Sequence, residues 1–307
     1  MDDLAARLEA ALKNVYHIES ELGGGTASRL FLAVERALDR RVVIKVLSPD
    51  SASDVGATRF KREISLAAHL QHPNILPVLS AGAQGDLLYY VMPYLAGESL
   101  RHRLQREGRL PIEDCVTILR EVADALAVAH AAGFVHRDVK PGNILLQGGH
   151  AMLTDFGVAR AVEEARGVRR LTDPGMAVGT PPYMSPEQAI GEAQVDARSD
   201  VYALAIVGYE MLAGAPPFGG PTVQAVVAAH LAQIPKPLRE RRPDVPGALA
   251  EAISRALAKD PADRFQTAGA FRDALPAPAG SYPRGRRSGL RALAAGLAAL
   301  AGFHRGK

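Results

Sequence analysis

Tryptophan is absent from this 307-residue chain, and cysteine occurs once, at Cys115. A single cysteine excludes an intramolecular disulfide framework and fits a reducing compartment; the residue reads as core packing. An excess of either charge is also lacking. Lysine and arginine total 36 against 33 acidic residues, a formal net charge of +3, too near balance to suggest a nucleic-acid partner. The opening MDDLAARLEAALKNVYHI is acidic at its start and carries leucines at helical spacing, so it lacks the basic-then-apolar profile of a signal peptide. The apolar stretch from Ala292 to Phe303 falls short of the roughly 20 residues that span a bilayer. What the chain does have is apolar bulk: 48% of its residues are hydrophobic, enough to bury the core of one two-lobed domain or of two ordinary ones.

The periodicity changes along the chain. Short β-rich runs dominate from Tyr16 to Leu95, at Arg29 to Val34, Arg41 to Leu47, Ile75 to Leu79 and Leu87 to Met92, broken by glycine and polar turns. One helix interrupts them, from about Ala57 to Leu70, with Phe60, Ile64 and Ala67 as its inward stripe. Beyond Gly97 the pattern is helical. Ile112, Val116, Leu119, Val122, Leu126 and Ala129 keep 3.6-residue spacing up to Gly133, a C-terminal cap. Val201 to Leu212 is apolar nearly all round, which predicts a helix buried in a protein core. The Pro/Gly/Arg-rich stretch from Pro276 to Gly289 reads as a linker.

Several segments carry chemistry. Leu22, Gly23, Gly24, Gly25, Thr26, Ala27, Ser28, Arg29 and Leu30 spell LGGGTASRL, where Gly23 and Gly25 would let a strand-to-strand turn bring backbone amides near phosphate oxygens. Alone, such a segment reads first as a turn. Lys45 closes the strand pattern VVIK and points a cation among apolar neighbours, where it needs an anion. Glu63, beside Ile64 on the helix stripe, poses the matching problem. Pairing of the two would place the lysine within reach of phosphates; two exposed charges are the alternative on these residues alone. The run HRDVKPGN brings His136, Arg137, Asp138, Lys140 and Asn143 together between apolar flanks and reads as a catalytic loop. After a Gly148-Gly149 hairpin, Asp155-Phe156-Gly157 puts a second carboxylate at the end of the returning strand. Asp155 and Asn143 could share magnesium, which favours oxygen ligands together with phosphate and water.

The ordered set LGGGTASRL, VVIK, Glu63, HRDVKPGN, DFG, GTPPYMSPEQ and DVYALA resembles the protein kinase family, in particular the bacterial eukaryotic-like serine/threonine kinases, over about residues 16 to 275. The resemblance implies an α+β, bilobal protein kinase fold. Residues 1–95 would form the N-lobe, a small antiparallel β-sheet with one key helix and a short N-terminal helix. Residues 96–275 would form the larger, mainly helical C-lobe, and 276–307 a linker and an Ala/Leu-rich tail. It also implies roles. Asp138 would orient the substrate hydroxyl and accept its proton, Lys140 steady the transferred phosphoryl, and Asn143 with Asp155 hold Mg2+, or Mn2+ in its place, with ATP as co-substrate. Lys45, set by Glu63, would contact the α and β phosphates. The LGGGTASRL segment would cover the phosphates, while Leu22, Leu30, Val43 and Leu145 enclose the adenine. The adenine edge would meet the backbone of Pro93, Tyr94 and Leu95, with Met92 behind it. Thr180 would brace Asp138 and Lys140, and Glu187 would pair with Arg264. Three positions depart from the family pattern: Ser28 at the third glycine, Ser185 for alanine and Ala205 for glycine, the last two bearing on helix packing.

The resemblance implies transfer of the ATP γ-phosphoryl group to serine or threonine hydroxyls of protein substrates. A pseudokinase binding module and a small-molecule phosphotransferase are the alternatives. The first would lack one of Lys45, Asp138, Asn143 and Asp155, and the second the GTPPYMSPEQ segment; all are present. Arg137, next to Asp138, calls for an anion, which in the family is commonly a phosphorylated activation-loop residue. Thr172 has the one hydroxyl side chain between Gly157 and Gly179, so autophosphorylation there, through a transient homodimer, is expected; the alternative is that Asp173, or Glu163 and Glu164, supplies the anion and Thr172 is a solvated loop residue. Glu98 reads as a solvated helix-start carboxylate, with a basic substrate residue or a ribose hydroxyl as its alternative partner. In the tail, Leu290, Leu293, Leu297 and Leu300 recur at helical spacing among Arg284, Arg286, Arg287, Arg291 and Arg305. That pattern suits an anionic membrane surface, another chain or a flexible tail. The expected location is the cytoplasm, with the tail as the one candidate membrane contact.

Overall fold

A computed structural model describes residues 3–24, 28–47, 64–65, 67–85, 87–156, 181–192 and 195–277, nearly all within one compact unit, Met1–Pro276. Its first part is a five-stranded antiparallel sheet. The strands are β1 (Tyr16–Gly24), β2 (Ser28–Glu35), β3 (Arg40–Leu47), β4 (Ser80–Gln84) and β5 (Leu87–Pro93), in the order β1-β2-β3-β5-β4. Alternation along β3 decides what each face holds. Val42, Ile44 and Val46 pack with Phe31, Ala33 and Val91 against Leu8 and Leu12 of an N-terminal helix, Asp3–Leu12. Both leucines are fully or nearly fully buried, and such burial stabilises by about 1.5–3 kcal/mol per side chain. Val43 and Leu47 belong to a second apolar cluster with Ile64, Leu88, Tyr90 and Met92, so Lys45, between them in the alternation, is carried on that face.

The second part is mainly helical. The helices Ile112–Ala131 and Ala197–Ala213 meet in the main core, and residues 199–209 of the latter are buried without interruption. The all-round apolar pattern of Val201 to Leu212 therefore marks what it was expected to mark, and Ala205 is accommodated at full burial. Gly133 takes the left-handed conformation at φ 82°. Its N–H donates to the His130 carbonyl and the Phe134 N–H to that of Ala129, which closes the helix end and turns the chain toward His136. Next to this core lies a small antiparallel sheet of β6 (Glu98–Ser99), β7 (Ile144–Gln147) and β8 (His150–Leu153).

One expectation is corrected. The strand read from Ile75 to Leu79 is an isolated Ile75–Leu153 bridge, and the paired strand begins at Ser80. Pro77 interrupts the expected run and has no N–H to give a ladder. Glu98 stands just before the helix Leu100–Glu107, as expected, and there Arg106 donates to its carboxylate at 2.5 and 2.8 Å in an exposed ion pair.

Candidate active site

The segment from His136 to Asn143 is built around Asp138. Lys140 Nζ donates to its Oδ2 at 2.6 Å, and Asn143 Nδ2 donates to the same oxygen at 3.0 Å and to the Asp138 carbonyl at 2.8 Å. Both amide hydrogens of Asn143 are thus committed to Asp138, which leaves its Oδ1 able to act as an oxygen ligand. The loop is held from beneath by Asp200, whose fully buried carboxylate accepts the backbone N–H groups of His136 and Arg137, each at 2.7 Å. His130 Nε2 adds a contact at 2.8 Å. Arg137 adopts φ 66° and Asp155 φ 69°, a region that costs a non-glycine residue free energy and persists only where the surroundings impose it. The Asp200 carboxylate supplies that constraint at Arg137.

His136 joins this loop to the second carboxylate. Its Nδ1 accepts the Asp138 N–H at 3.2 Å, so its Nε2 carries the hydrogen and donates to the Thr154 carbonyl at 2.7 Å. Phe156 meets the ring edge-on, with centroids 4.7 Å apart. Asp155 then receives two donors, one on each oxygen: Lys45 Nζ on Oδ2 at 2.7 Å and the Tyr90 hydroxyl on Oδ1. Burial alone would raise the Asp155 carboxyl. The Lys45 charge, with the hydrogen bonds from Lys45 and Tyr90, outweighs it and holds the group below the usual aspartate range. Burial first, and then Asp155, push the Tyr90 phenol well above its ordinary value. A small cavity lined by Ile75, Tyr90, Met92, Asp155 and Phe156 lies against this group.

The residues expected to enclose a nucleotide base lie largely together. Val43 and Met92 are in the second apolar cluster, with Leu30, Leu95 and Leu145 partly buried against it. Leu22 is 49% exposed on β1, Tyr94 is 38% exposed, and Pro93 ends β5. In the glycine segment, β1 and β2 stay paired through Gly23–Leu30 and Gly24–Arg29. Gly24 is the crowded position: at φ 159°, a Cβ there would collide with the Ser28 carbonyl oxygen and the Arg29 Cα. Gly23, at φ 134°, also holds a conformation that side chains rarely adopt, as expected of it, and Gly25 lies outside the described residues. Farther along, Arg264 donates to both oxygens of Glu187 at 2.7 and 2.8 Å. Ser185 caps the helix Pro186–Ala189, a role its hydroxyl can fill and alanine could not. Glu63, Gly25, Thr26, Ala27, Thr172 and Thr180 lie outside the described residues.

A protein kinase domain model matches residues 16–275. The chain belongs to the protein kinase family. Its relatives place it in the bacterial eukaryotic-like serine/threonine branch. It is 39% identical to the serine/threonine-protein kinase PknA of Mycobacterium tuberculosis over 281 residues, 89% of this chain and 63% of that protein. It is also 39% identical to PknB of Mycobacterium leprae, over 85% of this chain and 42% of that protein. The same identity holds to pkn3 of Myxococcus xanthus, over 85% of this chain and 49% of that protein. The chain thus spans between about two fifths and two thirds of the length of these curated relatives. The kinase fold accounts for the two carboxylate-bearing segments that His136 ties together. It leaves Asp200, Gln188 and Tyr90 as site residues the sequence reading did not single out. Asp200 stood in plain view in DVYALA, and Gln188, whose Nε2 donates to the Arg137 carbonyl at 2.8 Å, in SPEQ; a carboxylate or amide inside an apolar or helix-start run signals a backbone partner.

Proposed function

We propose that the chain is an ATP-dependent protein serine/threonine kinase, and the observation that carries this reading is the held state of Asp138. Its Oδ2 is fixed by Lys140 and Asn143, and its backbone is tied through His136 to the Asp155 segment. Asp138 orients a serine or threonine hydroxyl and takes its proton as that oxygen forms a bond to the γ-phosphorus and ADP departs with the broken bond's electrons. The Lys140 ammonium stabilises charge on the phosphoryl oxygens, and Lys45 leaves Asp155 for the α and β phosphates. Magnesium, or manganese, bound with ATP would neutralise phosphate charge there. Asp155 and Asn143 Oδ1 are the residues to hold it, and two hard oxygen donors suit a metal that keeps phosphate and water in its shell.

Regulation by Thr172 phosphorylation is part of this reading. Among the described residues Arg137 Nε is buried without a hydrogen-bond partner, and Arg137 Nη2 has only a long contact, 3.4 Å, to the Val195 carbonyl. A phosphate brings about −1.5 to −2 charges and strong acceptor oxygens to such a group. Transfer between two copies in a transient dimer would supply it. Among the described residues no helix is long and apolar enough to cross a membrane. Peripheral contact through the basic tail is tested by sedimenting the protein with anionic vesicles, with and without residues 284–307. The function itself is tested by incubation with radiolabelled ATP and a generic basic protein. Magnesium-dependent label on serine and threonine supports it; label on a small-molecule acceptor instead overturns it.

A further inference from the structure

We propose that Tyr90 is a positioning residue for the metal-binding carboxylate, holding Asp155 in its ligand orientation when Lys45 has let go; this rests on the reading of Asp155 as a magnesium ligand. Lys45 on β3 and Tyr90 on β5 are register partners in the antiparallel sheet, so their side chains leave the sheet on the same face and side by side. They converge on one carboxylate. Lys45 Nζ takes Oδ2 at 2.7 Å and the Tyr90 hydroxyl takes Oδ1, so two donors on two oxygens fix the rotation of the group about its last bond. Tyr90 is 1% exposed, and among the described residues its hydroxyl has no other partner.

The two donors differ in what a nucleotide does to them. An ammonium is drawn to phosphate, so the Lys45 bond is the one that ATP breaks. A neutral phenol has no comparable pull toward phosphate, and its ring is locked among Leu88, Met92 and Val43 in the second apolar cluster. Tyr90 would therefore keep Oδ1 while Oδ2, given up by Lys45, would be open to a metal ion. A donor that stays on a ligating carboxylate in this way orients it, and loss of such an outer contact typically costs 10–100-fold in metal affinity.

The test is calorimetric titration of ATP into wild type, Tyr90→Phe and Asp155→Asn, each with and without magnesium. Tyr90→Met serves as a second hydroxyl-free variant, and circular dichroism checks each fold. Tyr90→Phe is expected to bind ATP without magnesium as wild type does and to lose about tenfold or more of the affinity gained on adding magnesium. Its half-saturating magnesium concentration should rise correspondingly. A purely packing role would lower the melting temperature and leave the magnesium gain intact. That result in Tyr90→Phe, alongside a lost gain in Asp155→Asn, would overturn the inference while sparing the role of Asp155. A full magnesium gain in Asp155→Asn would overturn the role of Asp155 and the inference with it.

Discussion

Arg264 reaches across 77 residues of sequence to donate to both oxygens of Glu187, at 2.7 and 2.8 Å, with both side chains buried. Ser199 donates to the same carboxylate, and Arg264 also bonds the carbonyls of Ala258 and Lys259. Every polar group of the pair is thereby occupied, which is the condition under which a buried ion pair is tolerated. Glu187→Ala should leave the guanidinium uncompensated and cost about 3–5 kcal/mol, read as a lower urea midpoint with unchanged slope.

The same pair gives a pH signature. Burial works to raise the Glu187 carboxyl, but hydrogen bonds from Arg264 and Ser199 and the Arg264 charge hold it below its ordinary 4.5. With the folded value depressed, the contribution is complete above about 4.5 and is lost as pH falls through the lower folded value. Denaturation midpoints measured from pH 6 downward should therefore drop more steeply below that point in wild type than in Glu187→Gln.

Asp200→Asn should uncouple the catalytic loop. One amide oxygen cannot serve two backbone donors and His130 as the carboxylate does, and its NH2 group would face the N–H groups of His136 and Arg137. An unsatisfied buried donor costs about 1–3 kcal/mol, and the displaced loop should lower turnover by about 10²-fold. Hydrogen exchange at the His136 and Arg137 amides should quicken in the same variant.

Much of this was legible because the chemistry repeats at short range. The helix at Ala197–Ala213 and the turn at Gly133 follow from apolar spacing and one glycine, and HRDVKPGN holds Asp138, Lys140 and Asn143 within one loop. What the sequence hid depends on register. Nothing in LLYYVMP says which tyrosine faces Lys45; that is settled by the β3–β5 pairing, which sets Tyr90 opposite Lys45 and Tyr89 opposite Val46. Glu63, the partner that shared burial suggests for Lys45, lies outside the described residues, and the contact of Lys45 with Asp155, 110 residues away, comes from the fold and not from any spacing in the sequence. The edge strand Ser80–Gln84 is not legible in the sequence because SAGAQ has little β-propensity and is a strand through its pairing with β5.

Cys115 should be inert in the folded protein. It is fully buried, and burial pushes its thiol up to about 12, so almost no thiolate exists at neutral pH. A chromogenic disulfide reagent should titrate no thiol until denaturant is added, and then one per chain.

Asp138, held by Lys140 and Asn143, is the group proposed to orient the acceptor hydroxyl and take its proton. The most direct measurement is single-turnover phosphoryl transfer from magnesium ATP to a protein substrate by wild type and Asp138→Asn, with nucleotide affinity measured in parallel. Asparagine keeps the shape and gives up the base, so transfer should slow by about 10²–10⁴-fold while ATP binding and the circular dichroism spectrum stay as in wild type. Transfer at the wild-type rate in a folded, ATP-binding Asp138→Asn protein would contradict it.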